Sequence, residues 1–130
     1  MVDLSGEVLY LSPTYGGRFH DKKICDLEKL SFIKKTLVLT DLGFLGLKSD
    51  AAQIIMPYKQ KKSQPLNEEQ ERWNSWVSKI RVKVEHVIAS VKIFRKVKEK
   101  FRGRLLARED RIMLLACGLH NLKLKMKATL

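Results

Sequence analysis

Thr36-Leu37-Val38-Leu39-Thr40-Asp41-Leu42-Gly43-Phe44-Leu45-Gly46 is the stretch on which the fold turns. Its first five residues are β-formers, continuously apolar in the middle, which suits a central strand covered on both faces. Asp41 follows directly. Gly43 and Gly46 then imply a tight turn or a close backbone approach. Open α/β sheets gather ligand sites at the carboxyl ends of their strands. A carboxylate in that position can hold a divalent cation. The plainer reading is that Asp41 caps the turn before Gly43, and position alone leaves both open.

Toward the N-terminus, Asp3 to Gly6 reads as a turn with Asx chemistry, and Glu7 to Ser12 as a strand ended by Pro13 and the Gly16-Gly17 pair. A helix is expected from His20 or Asp21 to about Lys34, with Ile24, Leu27, Leu30 and Ile33 on one face. Toward the C-terminus, Ala52 to Met56 reads as a short strand closed by Pro57, and Tyr58 to Pro65 as a lysine-rich loop. Asn67 is the expected cap of a long helix, since neither Gly nor Pro occurs from Leu66 to Arg102. Trp73, Val77, Ile80, Val84, Val87, Ile88 and Val91 form its apolar stripe. Gly103 breaks the pattern. A last helix runs from about Ala107 to Lys125, with Ile112, Leu115, Ala116, Leu119 and Leu122 as its apolar face. The order β, α, β, β, α, α signals an α/β architecture, and 130 residues fit a single domain, 1–130.

Composition narrows the function classes. The chain is 45% apolar, enough for a hydrophobic core, but it has no run long enough to span a bilayer. Its N-terminus lacks the pattern of a signal peptide. Cys25 and Cys117 match no metal spacing and read as buried free thiols of a cytoplasmic protein. No membrane partner is expected. The net charge is +12, and all of it arises after Tyr58: up to there seven basic residues balance seven acidic ones. Charge so distributed suggests contact with a polyanion, nucleic acid before membrane. A solvated basic surface is the alternative.

Glu85 is the second residue of interest. On a helical wheel Arg81, Glu85 and Lys92 fall together, roughly 60–100° to one side of the buried stripe. They can make an edge for phosphate and metal, or Arg81 and Glu85 can be an ordinary ion pair one turn apart. From Lys92 to Arg104 there are seven basic residues and one acid, interleaved with Ile93, Phe94, Val97 and Phe101. Arg95, Lys96, Lys98 and Arg102 are the candidates there for following a phosphate backbone. His20, His86 and His120 fit no zinc spacing. Neither a Gly-rich phosphate loop nor a Ser-His-Asp pattern occurs.

These segments together resemble the DDE-type transposases of bacterial insertion sequences and the related DDE superfamily endonucleases. Tyr15-Gly16-Gly17-Arg18-Phe19-His20-Asp21-Lys22-Lys23-Ile24 resembles their "P-G-S-x-H-D-x-x-I" segment, although Arg18 and Phe19 depart from it. Asp41 to Gly46 resembles their "D-x-G-Y-x-G" motif, with Phe44 for Tyr. Arg81, Glu85 and Lys92 resemble their Arg-Glu-Lys signature, with Ser78 where Tyr is frequent. Leu119-His120-Asn121 resembles their "L-H-N".

The resemblance implies a ribonuclease-H-like α/β fold, here N-terminally truncated with its first strands missing, and long C-terminal helices. It implies two-metal chemistry, with Mg²⁺ or Mn²⁺ ions about 4 Å apart, and Asp41 and Glu85 as catalytic metal ligands. Arg81 and Lys92 would neutralise phosphates, and the basic second half would grip DNA, both transposon ends and target. The family uses three carboxylates, and the first is absent; Asp3, in a turn, is a poor substitute. The metals are therefore expected to bind weakly and the chain alone not to catalyse. An incomplete sheet is expected to need completion by an N-terminal transposase half or a second copy. A non-catalytic nucleic-acid-binding module is the alternative function.

Overall fold

The computed structural model describes residues 1–98 and 106–129. Its elements are α1 (Asp21–Glu28), β1 (Thr36–Leu39), β2 (Ala52–Ile55), α2 (Glu68–Val91), α3 (Arg95–Lys98) and α4 (Leu106–Ala128), with a 3-10 turn at Leu42–Phe44. The architecture is mixed α/β. It divides into two compact units, Tyr15–Lys79 and Met1–Thr14 with Ile80–Leu130, so α2 contributes to both.

In the Tyr15–Lys79 unit, β1 and β2 pair in parallel, in register from Thr36↔Ala52 to Leu39↔Ile55. Parallel strands need a crossover of about a dozen residues, and the 3-10 turn lies in that connection. β1 forms as expected but is not covered on both faces: Leu37 is 64% exposed, and among the described residues the sheet has two strands. α1 begins at Asp21 as expected but ends at Glu28 rather than near Lys34. Lys29 adopts left-handed geometry at φ 48°, and its N–H bonds back to the Cys25 carbonyl, which stops the helix. Before it, Phe19 packs tilted against Tyr15 at 5.6 Å, with the Lys23 ammonium 5.1 Å from the Phe19 ring centroid. That local packing accounts for an aromatic at position 19.

α2 opens on a reciprocal cap. Gln70 N–H donates to Asn67 Oδ1 at 2.8 Å, and Asn67 N–H donates to Gln70 Oε1 at 3.1 Å. Glu68, Glu69 and Glu71 complement the dipole in the first turn. Val77, Val87 and Val91 are buried, with Ile80 and Val84 half-buried between them. Trp73 and Ile88 of the expected stripe remain exposed. The helix stops at Val91 instead of continuing toward Arg102: Phe94 N–H turns to the Val91 carbonyl, and α3 starts at Arg95. The expected break at Gly103 lies outside the described residues.

In the other unit, the predicted strand at Glu7–Ser12 is an extended segment. Its regular pairing is one antiparallel bridge, Val2↔Val8. The reason is the identity of its partners. Val8 exchanges both backbone bonds with the Asn121 side chain, Val8 N–H to Oδ1 and Nδ2–H to Val8 O, each 2.9 Å. The Asp3–Gly6 turn is as expected: Asp3 accepts from the Ser5 hydroxyl and the Glu7 N–H, and these bonds hold its carboxyl below the usual range.

α4 exists as expected but turns a different face inward. Ala116 is buried as expected and, with Cys117, packs with Val91 and with Val8, Leu11 and Met113; His120 is buried too, while Leu115, Leu119 and Leu122 lie exposed. His120 Nε2 lies 3.0 Å from the Gly6 carbonyl, which can only accept, so Nε2 carries the proton. Nδ1 lies 2.9 Å from Ser90 Oγ and accepts its hydroxyl proton. Both cysteines are free and buried, as expected, and burial raises their thiol pKa values.

Candidate metal and nucleic-acid site

Asp41 stands two residues beyond the end of β1, at the cap of the 3-10 turn. Its Oδ1 accepts the Gly43 N–H at 2.8 Å, so the capping role is real. It occupies one carboxylate oxygen. Gly43 sits where side-chain carboxylates approach closely. A Cβ there would lie 2.7 Å from Asp21 Oδ2 and 3.0 Å from Asp41 Oδ1. Two carboxylates therefore converge on one glycine. The neighbouring Thr40 Oγ1 is buried without a hydrogen-bond partner among the described residues.

Asp21 is the residue that sequence reasoning missed at this turn. The signal was present, because Asp21 belongs to the His-Asp segment quoted above. Nothing in the local pattern said that the first residue of α1 would meet the turn after β1. Hard oxygen donors of this kind suit Mg²⁺ or Mn²⁺. Among the described residues, no three His, Cys, Asp or Glu side chains gather closely enough to hold a metal ion.

Arg81 and Glu85 lie on the exposed side of α2, their charged groups 4.0 Å apart and their side chains 45% and 64% exposed. In water such a pair contributes well under about 1 kcal/mol. Glu85 is thus more open than a position flanking the core would be. Lys92 continues the same side: its N–H bonds to the Ile88 carbonyl at 2.9 Å, and its side chain is exposed. Arg95 and Lys96 are exposed on α3. Lys98 closes α3; its side chain, and all of Arg102, lie outside the described residues. Asp41 belongs to the Tyr15–Lys79 unit and Glu85 to the other.

No helix among the described residues is long and apolar enough to cross a membrane. The family model described as DDE superfamily endonuclease matches residues 1–121. A protein of Microchaete diplosiphon described as "Probable transposase for insertion sequence element IS702" is 30% identical over 112 residues. That match covers 86% of this chain and 40% of the relative, so the chain spans less than half the relative's length. No solved structure gives a significant match.

Proposed function

The chain belongs to the DDE superfamily endonucleases, and from that premise we propose that it is the C-terminal part of a transposase catalytic domain, cutting and rejoining DNA with divalent metal. One observation carries the reading: Asp41 stands just beyond an apolar strand, in a turn whose glycine is crowded by two carboxylates. Asp41 and Glu85 are the proposed ligands, drawn from one ribonuclease-H-like domain. Mg²⁺ or Mn²⁺ would supply Lewis-acid activation of the phosphodiester and of the attacking hydroxyl or water. The protein's own part is to bind and orient DNA. Arg81 and Lys92 neutralise phosphates near Glu85, and Arg95, Lys96, Lys98 and Arg102 extend the basic track along the backbone.

Two carboxylates position a metal pair poorly, so residues 1–130 by themselves hold metal weakly and are inactive. The test is Mn²⁺ titration followed by electron paramagnetic resonance, beside plasmid nicking in Mg²⁺. Weak Mn²⁺ binding, reduced about tenfold or more by Asp41→Asn, is expected without nicking. Binding indifferent to both Asp41→Asn and Glu85→Gln would remove the metal role. Nicking abolished by Glu85→Ala would remove the claim of inactivity. The concentration of positive charge after Tyr58 also favours a non-catalytic DNA-binding module. Salt-dependent DNA binding with no metal response would select that second reading.

A further inference from the structure

Beside β2, the Tyr15–Lys79 unit has an open groove of about 380 Å³, lined by residues including Leu42, Leu45, Ile55, Pro57, Tyr58 and Trp73. Its aromatic residues face solvent: Tyr58 is 50% exposed and Trp73 38%. Trp76, exposed as well, lies against Trp73 with ring centroids 5.3 Å apart. Large aromatic rings dominate core and interface energetics. A stacked tryptophan pair and a tyrosine of the same groove, all left open, are therefore not accounted for by the packing of this unit.

The Trp73 ring and the Tyr58 backbone are also fixed in advance. Trp73 Nε1 donates to the Met56 carbonyl at 3.0 Å. Asn74 brackets the Tyr58 backbone, accepting its N–H at 2.7 Å and donating to its carbonyl at 3.0 Å. A platform held this way loses little conformational freedom when something stacks on it.

The loop leaving the groove supplies the second chemistry. Lys59, Lys61 and Lys62 are exposed, and among the described residues none has a side-chain hydrogen bond or ion pair. Of the acids in the first turn of α2, Glu68 faces Arg72 at 3.5 Å. Flat π-surfaces next to unengaged ammonium groups match an unpaired nucleotide, with its base on the rings and its phosphates on the lysines. A duplex keeps its base faces stacked inside and cannot use such a platform. A purely apolar partner would leave the lysines without a role.

We propose that the Tyr58–Trp73 groove binds an unpaired nucleotide of single-stranded DNA. The base stacks on the Tyr58 ring, with Trp73 lining the same groove, and the adjoining phosphates lie on Lys59, Lys61 and Lys62. The inference rests on the reading of this chain as a DNA-processing protein, for which cut ends supply unpaired nucleotides.

Its test is tryptophan fluorescence titration in EDTA with three probes: a short oligothymidylate, an abasic strand with as many phosphates, and a duplex of equal length. The oligothymidylate should quench and bind about tenfold tighter than the abasic strand. Tyr58→Leu, which removes a ring but leaves the backbone bonds to Asn74 in place, should cut that preference about fivefold or more, and Tyr58→Phe should retain it. Replacing the three lysines by Gln should weaken both single strands alike and flatten their salt dependence. Equal binding of base-bearing and abasic strands, or a Tyr58→Leu variant with wild-type melting and full preference, overturns the groove but leaves charge-driven DNA binding intact. If none of the probes binds, both the groove and the DNA-processing reading fall. Because EDTA removes metal, a base preference that persists alongside Mn²⁺ binding indifferent to Asp41→Asn and Glu85→Gln counts against the metal site alone.

Discussion

α2 and α4 are nearly equal in length, 24 and 23 residues, but different forces hold them. α2 buries a row of valines, Val77, Val87 and Val91, and starts on a reciprocal Asn67–Gln70 cap. α4 buries the small Ala116 and Cys117 beside the polar His120, while Leu114, Leu115, Leu119 and Leu122 face solvent. The valine row gives α2 a defined buried side, although Trp73, Trp76, Val82 and Ile88 remain exposed. In α4 the apolar residues are spread around the helix rather than gathered on one face, and burial alone orients such a helix poorly. Its rotation is chosen by directional bonds: His120 to Gly6 and Ser90, and Asn121 to both backbone groups of Val8. Leaving those buried groups unpaired would cost about 1–3 kcal/mol each.

The sharpest break of this comparison is His120→Leu. It keeps an apolar side chain of similar size but strips partners from the Gly6 carbonyl and the Ser90 hydroxyl. A loss of about 2–4 kcal/mol is expected in urea unfolding; a neutral result would mean that apolar packing orients α4 after all. For α2 the corresponding change is at its end. Asn67→Ala should cost about 1 kcal/mol, seen as reduced helicity and a lower midpoint. If it costs as much as His120→Leu, the buried stripe is not what carries α2. The smallest effect belongs to the expected but unused face. Leu115→Gln should change the stability of the chain by no more than about 0.5 kcal/mol. A loss several times larger in the isolated chain would show that Leu115 is packed, contrary to its exposure.

Several elements were legible because they are short-range. The β1 run and the Asp41 cap are set by neighbours within a few residues, as are the start of α1 at Asp21, the Asn67 cap and the Asp3 turn. The end of α1 was not legible. Leu30 and Ile33 continue its apolar spacing, but Lys29 takes the left-handed geometry that closes the helix. The sequence singles out Asp41 and Glu85 as candidate ligands, and the side-by-side placement of Arg81 and Glu85 follows from helical periodicity alone. The approach of Asp21 to Gly43 could not be named. Twenty-two positions separate them in the chain, and only the packing of α1 against the turn after β1 brings them together.

The sequence by itself determined the family, the mixed α/β character, the excess of positive charge after Tyr58, and the valines of the α2 row. These depend on residue order and on periods of two and 3.6, which are local properties of the chain. Tertiary structure alone decided which face of α4 is buried and that Asp21 meets the turn at Gly43. It also decided why the segment from Glu7 to Ser12 bonds to an asparagine rather than to a strand. Each of those outcomes is a competition between groups far apart in sequence, settled by which buried polar atoms find partners.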